Sequence, residues 1–384
     1  MITTTNRPID VSVVIPAFNR IDLLRASVTS VLVAARRIAP LVVECIVVDD
    51  GSDPPLASQL SDLEPGFAPH TLRTIRQLNS GSAAARLHGL RESQGEYVQF
   101  LDSDDRLHPN KLAAQVAAMN ETGVELSYCD QAITHPYDPL GDFEDPPFLS
   151  RQQLPVVNTP AELFIGVQTS PHTPVFRRVP LVAALADPII PPSRVFEPAG
   201  DTWLFFNCAT QPWRVCKVNG FYSVYVTHEI DRLSTKWEKL GTAALGIMLI
   251  FALRCPEKPD NRAIQAMLGT AALQSYRRLP LRFHAEYERL TLALFQTSPH
   301  GVTRNQLGGR QFARLAAVVG PSWAARLLRR VQCNDYRTCQ TIGRDEMEAV
   351  FAKMIDHVKA VCGNDRFKER FDKRFRRRSL SIGC

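Results

Sequence analysis

The sequence predicts an α/β protein with a mostly parallel central sheet, followed by a mainly α-helical C-terminal region. Three observations lead there. Between Val11 and Met119, short β-branched runs alternate with segments of helical period, the pattern of successive βαβ units. Several runs end in acidic residues, at the strand ends where open parallel sheets gather their ligands. Beyond Trp237 the strand-like runs give way to long helical stretches.

Each element follows in turn. Val11–Pro16 (VSVVIP) is the first strand, and Leu24, Val28, Val31 and Ala35 set a helical period over Ile21–Ala35. Glu44–Val48 is a second strand that ends in the turn Asp49-Asp50-Gly51-Ser52. Leu72–Arg76 forms a third, and a Gly-Ser step opens a helix over Ser82–Ser93. Glu96–Leu101 is a fourth strand running straight into Asp102-Ser103-Asp104-Asp105, and Lys111–Met119 is the next helix. Residues 136–200 are proline-rich and read as irregular chain that lines or covers a site. A helix over Asp201–Ala209 and a strand around Phe221–Val226 complete an α/β domain at 1–237. A helical domain at 238–384 then ends in a basic amphipathic tail, 366–378.

Composition narrows the function classes. With 384 residues there is room for two domains and a sizeable core. Nine cysteines without a Cys-x-x-Cys pair support neither a disulfide framework nor a zinc site, and suit a reducing compartment. The polar start, MITTTNRPID, lacks the apolar segment of a secretory signal. The longest apolar run, Ala243–Leu253, falls short of the ~20 residues that span a bilayer and reads as a buried helix. A cytoplasmic protein is expected.

The net charge of +6 resides in the tail, where 366–378 holds eight basic and two acidic residues and the rest of the chain balances. A general nucleic-acid-binding surface loses its support. In that tail Phe367, Phe371 and Phe375 recur every four residues among arginines, an interfacial pattern that would set the protein peripherally at the inner face of a membrane. The other reading of the same pattern is a basic helix packed on its own domain. No Gly-x-Gly-x-x-Gly follows the first strand and no Gly-x-x-x-x-Gly-Lys loop exists, which sets aside dehydrogenases and P-loop NTPases.

The acidic strand ends carry the chemistry. Four or five carboxylates at one sheet edge repel one another unless a cation sits among them. Hard oxygen donors suit Mg²⁺ or Mn²⁺ bridged to phosphates.

These motifs resemble the family 2 glycosyltransferases of the GT-A fold, a Rossmann-like architecture, over residues 11 to about 235 and in the right order. The family's opening strand matches VSVVIPAFNR, and its acidic nucleotide motif matches Val48-Asp49-Asp50-Gly51-Ser52. Its Asn-x-Gly-x-x-x-Ala-Arg helix start matches Asn79 through Arg86. Its Gly-Glu-Tyr strand and Asp-x-Asp-Asp motif match Gly95-Glu96-Tyr97 and Asp102 through Asp105.

The resemblance implies that Pro16, Ala17 and Phe18 pack along a nucleotide base while Asp49 or Asp50, preferably Asp50, accepts from its imide. Arg86 would lie near the nucleotide and Asp102 at the ribose. Asp104, with Asp105 behind it, would carry Mn²⁺ or Mg²⁺ at the diphosphate, with His228 as a further ligand. The general base would be Asp201, opening the late helix, with Glu197 as the fallback. What is implied is an inverting, metal-dependent transfer of a sugar from a nucleotide-diphosphate donor, UDP-linked by preference. The hydroxyl acceptor would lie in a cell-surface polysaccharide, a lipid-linked glycan or a glycoprotein. Three positions depart from the family: Gly200 stands where an acidic residue precedes the base, Leu87 where an Asn follows the arginine, and Val226 where an arginine precedes x-His. Gly200 and Val226 motivate the alternative of a non-catalytic sugar-nucleotide-binding protein or scaffold.

Overall fold

Every residue of the first strand, β1 (Val11–Ala17), is buried, as is every residue of its neighbour β2 (Val43–Asp49). Strands covered on both faces read as continuous apolar runs, which is why these two stood out in the sequence. The computed structural model describes residues 8–141, 146–227, 236–256, 261–279, 283–299, 309–332 and 341–372. Around β1 and β2 the chain lays down α1 (Ile21–Arg37), α2 (Leu56–Leu60), β3 (Thr71–Arg76), α3 (Ser82–Glu92), β4 (Tyr97–Phe100), β5 (Arg106–Leu107) and α4 (Lys111–Thr122). Then come β6 (Leu126–Thr134), β7 (Phe148–Gln152), β8 (Val175–Arg177), α5 (Arg178–Ala186), α6 (Gly200–Cys208) and β9 (Val215–Val226).

Among the described residues, nine strands form one sheet in the order β3-β2-β1-β4-β8-β6-β9-β5, with β7 on β6. Its first four strands are parallel, as the βαβ pattern requires. Past β4 the sheet is mixed: β8 runs antiparallel to β4 and β6, β6 lies parallel to β9, and β5 is antiparallel to β9. Register sets the ends level. Ala17 lies opposite Asp49, and Val14 lies opposite Phe100. Residues 18–20, 50–52 and 102–105 therefore leave the sheet along one edge.

Residues 136–200, expected to be irregular, hold β7, β8 and α5. Strand β8 has only three residues, too few for a period, and its hydrogen bonds come from β4 and β6. Strand β6 was not read from the sequence because polar residues interrupt its apolar pattern. Buried Asp130 accepts from the Leu154 amide at 2.8 Å and pairs with Lys217 at 2.7 Å. Strand β9 begins at Val215, ahead of the expected start near Phe221.

Chain contacts group the molecule into two units. The first comprises 1–163, 167–188 and 211–230, and the second 164–166, 189–210 and 231–384. The second unit thus takes in 189–210, which the sequence reading joined to the 1–237 domain. Packing explains this. Within that unit Phe206 meets Phe251 edge-on at 5.2 Å, and Phe196 approaches Gly246 so closely that an added Cβ would lie 2.7 Å from its ring. Both partners sit on α7 (Trp237–Arg254), the helix that carries the buried run Ala243–Leu253. It is followed by α8 (Arg262–Arg278), α9 (Ala285–Thr297), α10 (Arg310–Val319), α11 (Pro321–Gln332), α12 (Arg344–Cys362) and α13 (Asn364–Phe367). Among the described residues no helix is long and apolar enough to cross a membrane.

The aromatic face expected on the tail is turned inward at two of its three positions. Phe367 and Phe371 are buried against each other, 5.5 Å between centroids, and Lys359 lies 5.7 Å over Phe367. A short helix followed by a π-turn replaces the continuous helix that the four-residue spacing suggested. Phe375 lies outside the described residues.

Gly95 precedes β4 where the chain passes β1. A Cβ there would stand 2.6 Å from the Ser12 amide nitrogen and 2.7 Å from the Val11 carbonyl carbon, backbone atoms that cannot swing aside. Gly95→Ala is therefore expected to destabilise the first unit by about 2 kcal/mol, the cost of overpacking a rigid contact. Thermal denaturation measures it, and an unchanged melting temperature would show that the strand gives way freely.

Candidate functional site

The level strand ends bring the sequence-predicted residues to one edge of the first unit. After β1, Asn19 and Arg20 both take the left-handed conformation, φ 55° each. Such a pair is uncommon for non-glycine residues and persists only where neighbours hold it. Here the Asn19 amide donates to Ser52 Oγ at 2.8 Å, and Asn19 Oδ1 accepts from the Asp53 amide at 3.1 Å. Between the buried Ala17 and this turn, Phe18 is left 48% exposed. An exposed phenyl ring beside a tightly fixed turn is a stacking surface.

Asp49 and Asp50 divide their work. Asp49 is turned into the chain, accepting from the amides of Ser52 at 2.8 Å and Leu56 at 3.1 Å, with Arg76 at 3.6 Å. Asp50 clamps the loop before α3: its Oδ1 accepts from Gln77 Nε2 at 2.7 Å and the Ser80 amide at 2.8 Å, its Oδ2 from the Gly81 amide at 2.8 Å. Gly81, at φ +93°, opens α3 in a conformation that side chains avoid. Both carboxylates are thus engaged by the chain, although Asp50 Oδ2, with one donor, keeps room for another.

The turn between β4 and β5 gathers the remaining acids. One carboxylate oxygen each from Asp102, Asp104 and Asp105 lies within 4.8 Å of the others. Ser27 of α1 holds the turn, donating to the carbonyls of Ser103 at 2.9 Å and Asp105 at 2.6 Å. Asp102 and Asp104 stay partly open, their side chains 30% and 26% exposed, while Asp105 is buried. Arg86 of α3 donates to Asp102 at 2.6 Å, and Arg20 stands 3.7 Å from Asp104. Buried Arg106, whose Nε and Nη1 have no hydrogen-bond partner, follows directly in β5. Asp105 Oδ1 accepts from the backbone amide of Val226 at 3.0 Å. Where the family's arginine is missing, the main chain at 226 still reaches the acidic turn.

His172 stands in the turn just before β8. It is wholly buried with Nδ1 3.2 Å from Asp105 Oδ2, out of hydrogen-bond alignment, and neither ring nitrogen has a hydrogen-bond partner. Burial pushes its pKa down to about 3, against the attraction of Asp102, so the ring is neutral. Its position is fixed from behind. The His172 carbonyl accepts from Gln99 at 3.1 Å, and the Thr173 carbonyl from the buried Lys111 at 3.0 Å and Gln115 at 3.3 Å. Sequence offered no signal for this pairing, since 67 residues separate His172 from Asp105 and only β8 beside β4 brings them together.

Of the other expected residues, Glu197 and Asp201 belong to the second unit, in the turn before α6 and in its first turn. Asp201 Oδ1 accepts from the Thr202 amide at 2.7 Å. His228 lies outside the described residues. The donor set at Asp102, Asp104 and Asp105 fits a hard divalent ion: all oxygen, closely spaced, two of the three open to solvent.

Comparison with known proteins agrees with this geometry. Residues 12–140 match the model of Glycosyl transferase family 2. An uncharacterized glycosyltransferase of Rickettsia felis is 32% identical over 118 residues, 31% of this chain and 18% of that protein. The chain matches less than a fifth of the length of that relative and of its counterparts from Rickettsia bellii and Rickettsia conorii. Among solved structures, residues 1–349 of S. aureus TarS in complex with UDP-GlcNAc superpose with a TM-score of 0.57 at 17% identity, covering 84% of this chain and 93% of that one. The mannosyltransferase PcManGT of Pyrobaculum calidifontis, in complex with GDP-Man and Mn²⁺, superposes with a TM-score of 0.50 at 17% identity, covering 92% and 88%. The structural likeness shows a shared fold, and residues 12–140, from the first strand through the acidic turn, match glycosyltransferase family 2.

Proposed function

We propose that this protein transfers a sugar from a nucleotide-diphosphate donor, UDP-linked by preference, to a hydroxyl acceptor with inversion at the anomeric carbon. Residues 1–237 would serve as the catalytic domain. The acceptor would belong to a cell-surface polysaccharide, a lipid-linked glycan or a glycoprotein assembled from the cytoplasmic side. The observation that carries the proposal is the close set of carboxylates at Asp102, Asp104 and Asp105, beside an exposed aromatic ring and a buried arginine. Solved proteins of the same fold in complex with UDP-GlcNAc, and with GDP-Man and Mn²⁺, support it.

The donor half falls to the first unit. Phe18, with Pro16 and Ala17 at its base, stacks on the nucleobase, and Asp50 Oδ2 accepts from the base imide while its other bonds hold the loop rigid. Arg86, its Nε without a hydrogen-bond partner, lies toward the nucleotide, and Asp102 meets the ribose. Asp104 and Asp105 would hold Mn²⁺ or Mg²⁺, joined by His228, and an ion held there would supply positive charge for the departing diphosphate. For the acceptor half, the Asp201 carboxylate removes the hydroxyl proton as the oxygen attacks, with Glu197 as the second candidate. Attack opposite the leaving group inverts the configuration.

Four outcomes follow. Phe18→Ala weakens donor binding about tenfold, the scale of one lost base–aromatic stack, as titration of UDP-sugar would measure. In a thermal-shift screen of UDP-, GDP- and dTDP-sugars, the preferred donor at about 100 times its Kd stabilises the protein by roughly 2 to 3 kcal/mol with Mn²⁺. Asp104→Ala removes the metal-dependent part of that gain. Asp201→Asn leaves donor binding intact and lowers kcat by about 100-fold or more, whereas normal turnover would move the base elsewhere.

A further inference from the structure

Helices α10 and α11 are joined at Gly320 and pack against each other, and their inner faces are anchored within the second unit. Phe312 is buried beneath Arg277, 4.1 Å from guanidinium to ring, and Arg329 is buried with Glu288 at 2.6 Å and the Leu279 carbonyl at 2.7 Å. The outer faces are unlike an ordinary solvated surface. At the apex Val318 is 83% exposed, Val319 37% and Trp323 56%, followed by Leu327 at 41%.

The spacing is regular. Trp323, Arg326, Leu327 and Arg330 fall at i, i+3, i+4 and i+7, one stripe of α11, and Arg310, Arg314 and Val318 form the matching stripe of α10. All four arginines are exposed, and the Arg326 guanidinium lies 5.1 Å over the Trp323 ring. At 1.5 Å per residue, the arginines stand roughly 4 to 12 Å back along the helices from the apolar apex. No acidic residue occurs anywhere between Glu288 and Asp335.

We infer that this hairpin docks on an anionic bilayer surface, with Val318, Val319 and Trp323 entering the interface and the arginines meeting lipid headgroups. An apolar tip behind which only cations stand is complementary to a layer that is negative outside and apolar within. A protein partner of ordinary composition would leave those cations facing an apolar contact. The tail, whose Phe367 and Phe371 are buried, cannot supply that apolar contact with them, whereas this hairpin presents one. Among the described residues no helix is long and apolar enough to cross the bilayer, and the contact inferred here is peripheral.

The test is flotation of the full chain with phosphatidylcholine vesicles containing about one third phosphatidylglycerol, against pure phosphatidylcholine. The wild type floats with the anionic vesicles only. Val318→Ser with Trp323→Ser, and separately Arg326→Gln with Arg330→Gln, each lower binding at least about tenfold, since each cation near the surface contributes roughly fivefold. Both variants change exposed side chains, and unchanged melting curves show that they fold. Brominated acyl chains quench Trp323 fluorescence in the wild type, and Trp323→Phe removes that component. Equal binding of wild type and variants, or equal binding to both vesicle types, overturns the inference. So does a wild-type dimer that either double variant dissolves, which would assign the face to a second copy. None of these readouts uses a sugar donor, so their failure leaves the transfer reaction standing.

Discussion

The site depends on holding like charges together. Carboxylates within 4.8 Å of one another repel by on the order of 3 kcal/mol per pair at the effective dielectric of a protein surface, and a fold must supply the counter-charge. Here the supply is local and comes from three directions. Arg86 reaches from α3 to Asp102, Arg20 from the end of β1 to Asp104, and Arg106 follows in the chain itself. Ser27 and the Val226 amide then fix the turn by hydrogen bonds that carry no net charge.

This arrangement has a consequence for ligand binding. Arginines that balance the aspartates keep the edge folded without a ligand, and in the proposed reaction they would stand near the donor's diphosphate. In the proposed reaction Asp104 would hold the ion, and Arg20 stands 3.7 Å from its carboxylate. The two strained residues Asn19 and Arg20 sit at that point, and bonds to Ser52 and Asp53 hold them. Strain of this kind is kept where geometry matters more than local comfort.

A second constraint lies beneath the first. His172 and Thr173 are carried by buried polar groups, Gln99 on β4 and Lys111 and Gln115 on α4. Burial pushes the Lys111 pKa down, so its ammonium is costly there unless those acceptors are all in place. The cost is met by a network that fixes the chain against Asp105.

The parallel half of the sheet and its acidic ends were legible because β1, β2 and β4 are buried throughout, the first two rich in β-branched residues, and because each ends at the edge where Asp50 and Asp102 emerge. Periodicity and strand-end chemistry are local properties, carried by neighbours in sequence. What only the tertiary structure decided was long-range: the antiparallel return of β8 beside β4, the buried histidine behind Asp105, the inward turn of Phe367 and Phe371, and the outward face of Trp323. Arg326 and Trp323 have the same spacing whether a helix is covered or bare. Which face a helix buries depends on partners dozens of residues away, and one helix's pattern cannot say which partner arrives.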